Sequence, residues 1–219
     1  MPVRVKVCCI RDREEAGLAV RAGAAALGLV SDMPSGPGVI DEETIADVAA
    51  WAPAAVSTFL LTCRADAAGI AEQVRRTHVS TVQICDRPQP GAAGALRQAL
   101  PALKVVQVVH VTGPDSVEEA EAAAEEADAL LLDSGNPAAR VKELGGTGRR
   151  HDWATSARIV ARARRPVFLA GGLTPENAGD AIRTVRPWAL DVCSGVRTDG
   201  RLDAGKLARF FAAVRAASD

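Results

Sequence analysis

Two reactive side chains stand at the ends of apolar runs in this 219-residue chain. Cys8 ends the stretch VRVKVC, and Asp133 ends the stretch ALLLD. A thiol becomes a base once ionised, and a carboxyl group withdrawn from water keeps its proton and acts as an acid. Facing each other across one hollow, the two would form an acid–base pair. Beyond Asp133 come Gly145, Gly146, Thr147 and Gly148, small residues suited to a flexible cover over that acid. Two more runs, VFLAGGL at 167–173 and LDVCSGV at 190–196, end in Gly171-Gly172 and Ser194-Gly195. Small residues there let backbone N–H groups converge on an anion, and a following helix N-terminus adds its positive dipole end. Thr174 as a helix cap and Pro175 at the first helical position fit that reading.

A regular alternation of elements has to position these groups. Apolar segments at 3–10, 26–30, 56–61, 81–84, 105–111, 129–132, 167–170 and 190–193 read as buried strands. Ala-rich stretches of helical period lie at 14–22, 43–50, 65–75, 92–100, 116–126, 154–164, 175–185 and 202–216. Eight strands, each followed by a helix, is the count that closes a parallel barrel. The expected fold is therefore α/β, a single-domain (β/α)8 TIM barrel over residues 1–219. An open doubly wound sheet usually carries a glycine fingerprint after its first strand, and Cys8-Cys9-Ile10-Arg11-Asp12 has no glycine. Barrel chemistry sits at the C-terminal strand ends, which nominates Cys8, Cys9, the 31–38 loop, Thr62, Cys85, Asp86, His110, Asp133, Gly171, Gly172, Asp191, Ser194 and Gly195. His78 and His151 fall in polar loops and read as solvated.

Composition narrows the partners. Twenty-six basic residues against 27 acidic ones leave no electrostatic reason to expect nucleic acid or an anionic membrane. No apolar run reaches membrane-spanning length, and the start has no signal-peptide core. Tyr is absent and aromatics are scarce, so the core must come from Ala, Val, Leu and Ile, as in buried parallel strands under Ala-rich helices. The five cysteines lack metal-finger spacing and mostly lie in or beside apolar runs, so reduced thiols in the cytoplasm are expected. Polar faces on the helices at 14–22 and 116–126 suggest solvent exposure and hence a monomer.

Taken in order, Val5-Lys6-Val7-Cys8, Leu131-Leu132-Asp133, the 145–148 stretch leading to Asp152-Trp153, residues 170–173 and residues 191–196 resemble the phosphoribosylanthranilate isomerase family of tryptophan biosynthesis. The resemblance covers essentially the whole chain. It implies a single-domain eightfold barrel that needs no metal and no cofactor. The implied reaction is an Amadori rearrangement of N-(5-phosphoribosyl)anthranilate to 1-(2-carboxyphenylamino)-1-deoxyribulose 5-phosphate. By the same resemblance Cys8 is the general base and Asp133 the general acid. Gly171, Gly172, Ser194 and Gly195 would bind the phosphate of a phosphorylated sugar, and Gly146 belongs to the closing cover. Asp191 would contact the substrate's amine or hydroxyls.

Three departures from the family pattern bear on the site. Cys9 replaces a glycine; strand alternation turns it toward the helix layer if Cys8 faces the mouth, while a bulge would exchange the two. The 31–38 loop lacks the arginine that holds the anthranilate carboxylate, so Arg11 or Arg197 is expected to supply the charge. Arg197 itself stands where the family has glutamate. Around Gln83 the family continues Leu-His-Gly, and this chain has Ile84-Cys85-Asp86, which alters the pocket wall. Two other readings stay open: the same chemistry on another phosphoribosyl aminoaldose, such as the histidine-pathway one, or a catalytically idle phosphate-binding barrel.

Overall fold

Short runs of β-branched and leucine residues form the strands, and the intervening Ala-rich stretches bury one stripe each as helices. A computed structural model describes residues 3–146 and 148–218. The strands are β1 (Arg4–Val7), β2 (Ala26–Val30), β3 (Ser57–Thr62), β4 (Thr81–Ile84), β5 (Lys104–His110), β6 (Ala129–Asp133), β7 (Val167–Leu169) and β8 (Ala189–Val192). The helices are α1 (Arg13–Ala22), α2 (Glu42–Trp51), α3 (Ala67–Thr77), α4 (Ala92–Ala99), α5 (Ser116–Glu126), α6 (Trp153–Arg162), α7 (Ala178–Val185) and α8 (Ala204–Ser218). All eight strands pair in parallel and in chain order, and β8 pairs back onto β1 to close the barrel. Among the described residues no helix is long and apolar enough to cross a membrane.

Strand alternation splits the apolar side chains into two cores. In β6, Leu130 and Leu132 pack outward against the helices, while Ala129 and Leu131 point into the barrel. Asp133 continues the inward row and so emerges at the C-terminal mouth. In β1, Val5 and Val7 face the helices, which turns Lys6 and Cys8 inward. Asp12, Asp41, Asp66 and Asp152 end βα loops and accept backbone N–H groups at the starts of α1, α2, α3 and α6. Those four carboxylates are helix caps, not candidates for chemistry.

Beyond shifts of one or two residues at element ends, three features differ from the sequence expectation. β1 stops at Val7, not at residue 10, because Cys9 takes a left-handed backbone with φ 62°. α7 begins at Ala178, not at Pro175; Pro175-Glu176-Asn177 form a separate turn, and Asn177 Oδ1 accepts the Thr174 N–H. Thr174 is therefore capped and does not itself cap. Between β8 and α8 lie a short 3-10 turn (Ser194–Val196) and a hairpin of β9 (Arg197–Thr198) with β10 (Arg201–Leu202). The Asp199-Gly200 pair at its tip has φ 49° and 75°, the conformation that this dipeptide favours in two-residue hairpins.

Gly28 in β2 is the narrow point of the barrel wall. A Cβ there would lie 2.8 Å from Cys8 Sγ and 3.1 Å from Lys6 Cε. Gly28→Ala is expected to destabilise the fold by about 1–3 kcal/mol through overpacking. Urea denaturation measures this, and an unchanged midpoint would mean that the interior has room to spare.

Candidate active site

At the C-terminal mouth lies a pocket that opens to solvent. Cys8, Asp133 and Asp191 line it from below, and the glycine-rich stretches at 145–148 and 171–172 line it from the sides. The strand register decides this convergence, since Cys8, Asp133 and Asp191 all occupy inward positions at strand ends. Asp133 is 9% exposed. Burial pushes its carboxyl above the usual carboxylate range, Asp191 pushes the same way, and the Ser134 N–H at 2.7 Å pulls only partly back. That is the state a proton donor requires.

Beneath the pocket, Lys6 lies fully buried with its Nζ 2.8 Å from Asp191 Oδ2. The two residues sit opposite each other where β1 meets β8. Burial works against the ammonium, but Asp191 outweighs it and holds Lys6 well above the ordinary lysine range. Lys6 Nζ also stands 5.4 Å over the Phe59 ring. Among the described residues Asp191 Oδ1, the other carboxylate oxygen, is buried without a hydrogen-bond partner, and Asp191 lines the pocket. Gln83 Oε1 is a second such acceptor.

The expected cover is folded across the mouth. Leu144 is buried against the barrel interior, and Ser35 Oγ donates to Lys142 O at 2.6 Å, tying the cover to the 31–38 loop. Gly145 has φ 136°, and a Cβ there would lie 2.7 Å from Asp133 Oδ2. A Cβ on Gly146 would meet Pro37 Cδ at 2.5 Å. Glycine is what lets this backbone rest on the acid. Thr147, the third of the four small residues, lies outside the described residues.

Gly171 and Gly172 have φ 81° and 63° and line the pocket together with Ser194. Asn177 Nδ2 donates to Gly172 O at 2.9 Å, so the turn before α7 fixes this loop. Gly195 does not line the pocket. A Cβ on it would fall 1.9 Å from Leu173 O, so its smallness serves the close approach of the β7 and β8 loops.

For five further residues the expectation changes. Arg197 is not free to meet a ligand: its guanidinium pairs with buried Glu15 at 3.0 Å and donates to Cys8 O at 3.2 Å and Cys9 O at 2.6 Å. Arg11 also lies outside the pocket lining, with its guanidinium beside Gly200. Cys9 does not turn to the helix layer, because its left-handed backbone breaks the alternation and brings it into the pocket lining, 2.7 Å from Cys193 Sγ. His110 Nε2 lies against Cys85 O at 3.0 Å and not in the mouth. His151 is half-buried beside Ser156, and burial lowers its pKa to about 4, so it is not a solvated loop residue.

Sequence reasoning missed Lys6, Glu15, Asn177 and Cys193. A lysine inside the apolar run VKV was the one available signal, because a charge there needs a buried partner. Glu15 and Arg197 are 182 residues apart, and no local pattern joins them.

Fold and site together define a (β/α)8-barrel enzyme with an acid and a thiol at its C-terminal mouth. The family model described as N-(5'phosphoribosyl)anthranilate (PRA) isomerase matches residues 5–213. N-(5'-phosphoribosyl)anthranilate isomerase 2 of Methanosarcina mazei is 36% identical over 210 residues, spanning 95% of this chain and 92% of its own. A crystal structure of phosphoribosyl anthranilate isomerase from Thermus thermophilus superposes with TM-score 0.83 at 29% identity, covering 98% of this chain and 99% of the other. Another such isomerase, solved in complex with reduced 1-(o-carboxyphenylamino)-1-deoxyribulose 5-phosphate, gives TM-score 0.79 at 27% identity, with 98% and 99% covered. The chain belongs to the N-(5'-phosphoribosyl)anthranilate isomerase family. That membership does not favour the histidine-pathway substrate or the idle barrel.

The Lys6–Asp191 pair generates a stability test. Lys6→Met leaves Asp191 buried and unpaired and is expected to cost about 3–5 kcal/mol in urea denaturation. Lys6→Met combined with Asp191→Leu should recover most of that loss. A single substitution costing no more than about 1 kcal/mol would remove the pair from any structural role.

Proposed function

We propose that the protein converts N-(5'-phosphoribosyl)anthranilate to 1-(2-carboxyphenylamino)-1-deoxyribulose 5-phosphate, with Asp133 as general acid and Cys8 as general base. The observation that carries this is the presence of both residues in one pocket walled by the β7 and β8 glycine loops. Asp133 protonates the furanose ring oxygen, the C1′–O bond breaks, and the amine nitrogen stabilises the product as an iminium. That iminium draws electrons from C1′ and acidifies the C2′ proton. The Cys8 thiolate removes it, and the electron pair moves to nitrogen to give an enolamine. Loss of the enol proton and return of a proton to C1′ complete the aminoketose. Both side chains are back in their starting states once those two protons have passed through them.

Gly171, Gly172 and Ser194 would hold the phosphate through backbone N–H groups and the serine hydroxyl. Asp191 Oδ1 would accept from a sugar hydroxyl or the amine, since a buried acceptor without a partner gains most from a ligand donor. Gly145 and Gly146 would exclude water above Asp133.

The anthranilate carboxylate has no cationic side chain among the described residues lining the pocket. A dry carboxylate there would be costly. It would therefore stay hydrated at the rim, between the 35–37 stretch and Gly146.

Three measurements test this reading. Expression should rescue a tryptophan auxotroph that lacks this isomerase, and Cys8→Ala or Asp133→Asn should abolish the rescue; growth that survives both would falsify the catalytic assignment. Because Asp133 must carry its proton, kcat is expected to fall as pH rises through its raised pKa. Asp133→Asn should lose that alkaline limb along with about 10²–10⁴ of the rate, so a variant keeping a tenth of kcat contradicts the role. With the carboxylate left in water, the aniline analogue that lacks it should keep kcat/KM within about tenfold of the natural substrate. A drop beyond about a thousandfold would require a buried cationic partner.

A further inference from the structure

Cys9 and Cys193 meet at the seam between the first and last strands. Cys9 follows β1, Cys193 follows β8, and the Cys8 N–H donates to Val192 O to hold the two chain segments side by side. The sulfurs lie 2.7 Å apart, and neither is bonded to another cysteine. Both line the mouth pocket, with Cys9 buried and Cys193 partly exposed. Arg197 fastens this arrangement from below by donating to the carbonyls of Cys8 and Cys9. On the other side Gly38 presses on Cys9, since a Cβ there would fall 2.5 Å from Cys9 Cβ. The Cys9 side chain is thus confined against Cys193.

We propose that Cys9 and Cys193 form a redox-sensitive dithiol that a hydroperoxide closes to a disulfide, reversibly slowing turnover at the adjacent Cys8. A disulfide needs the sulfurs at about 2.05 Å, so the pair closes by a small approach without moving the strands.

The chemistry follows from the two environments. Cys9 and Arg197 lower the pKa of Cys193, while hydrogen bonding to Cys193 and Cys8 raises that of Cys9. Cys193 is therefore the thiolate that meets oxidant entering the pocket. Its sulfur attacks the hydroperoxide; an S–O bond forms, the O–O bond breaks, and the leaving alkoxide or hydroxide takes up a proton. Cys9 then attacks the sulfenic sulfur; the S–S bond forms, the S–O bond breaks, and the departing hydroxide leaves as water with the Cys9 proton. Two thiols and one hydroperoxide give one disulfide, one alcohol or water, and one water. The sulfurs lose two electrons and the O–O bond gains them.

Bond formation stands on the geometry alone, whereas its effect on turnover rests on Cys8 being the base. Cys8, Cys9 and Cys193 all line the mouth pocket. Once oxidised, the Cys9 side chain is tethered to Cys193, which changes the pocket wall beside Cys8.

The test exposes the full chain to hydrogen peroxide and counts thiols after unfolding. The count should fall from five to three, with an intact mass lower by two hydrogens and a cross-linked peptide pairing Cys9 with Cys193. The link should persist in Cys8→Ser and be absent from Cys9→Ser. Five remaining thiols, oxygen added to the mass in place of hydrogen lost, or a link that needs Cys8 would each overturn the proposal. These readouts require no turnover, so they hold even if the assigned reaction fails. For activity, the oxidised wild type should lose roughly tenfold or more of kcat and regain it with dithiothreitol. Cys193→Ser, compared with its own untreated rate, should resist the same dose. Equal loss in that variant would place the sensitive sulfur at Cys8, and an oxidised wild type with full activity would overturn the effect on turnover.

Discussion

Lys6 and Asp191 join the barrel where its first and last strands meet, and the chemistry at the mouth is built on that join. Each ion alone would cost several kcal/mol to bury, so each is tolerable only with the other in place. Their register fixes what lies above them. One inward step beyond Lys6 is Cys8, and one inward step beyond Asp191 is Cys193. The pair occupies only one oxygen of Asp191, and the other remains available at the pocket floor. Gly28 follows from the same constraint, because the lysine stem and the thiol fill the space that its side chain would take.

The mouth holds carboxylates of two kinds, and burial separates them. Asp41 and Asp152 are exposed and take hydrogen bonds from the starts of α2 and α6, which keep their pKa values below the ordinary range. Asp133 has one backbone donor, deep burial and an acidic neighbour, and moves the opposite way. A βα loop thus supplies either a cap or an acid according to where its aspartate falls. Residues one or two places before a helix become caps. A residue that ends the inward row of a strand becomes the acid. Glu15 is a third case: it is buried, yet Arg197 and the N–H groups of Leu202 and Arg11 more than offset its desolvation, so it remains a structural anion.

What could be read from the sequence was what local pattern governs. All eight strands and eight helices lie where apolar period and Ala-rich composition put them, and β2, β4 and α5 include their exact expected residues or ends. The barrel follows from the count, and Cys8 and Asp133 stand out as polar residues at the ends of apolar runs. Departures came where one residue's backbone or a distant partner decides. Cys9 reads as an ordinary strand residue until its left-handed φ is seen. Arg197 reads as a candidate cation for the ligand carboxylate until Glu15 is found paired with it. The β9–β10 hairpin carries a local sign in Asp199-Gly200, a dipeptide that favours two-residue turns.

The pocket's electrostatics connect these elements. Among the described residues its lining contains two aspartates and four cysteines but no arginine or lysine side chain. A phosphorylated substrate would enter a site whose fixed positive charge lies below it, at Lys6, already shared with Asp191. Anion binding must then come from backbone N–H groups, whose dipoles cost no ion desolvation. Under the proposed function this role would fall to the loop at Gly171 and Gly172, whose backbone is left-handed and lines the pocket. It also bears on the proposed acid: a lining arginine near Asp133 would favour its ionised form and remove the proton that the proposed reaction needs. Keeping cations out of the lining and relying on peptide dipoles lets one small cavity hold an anion and a protonated carboxyl group together.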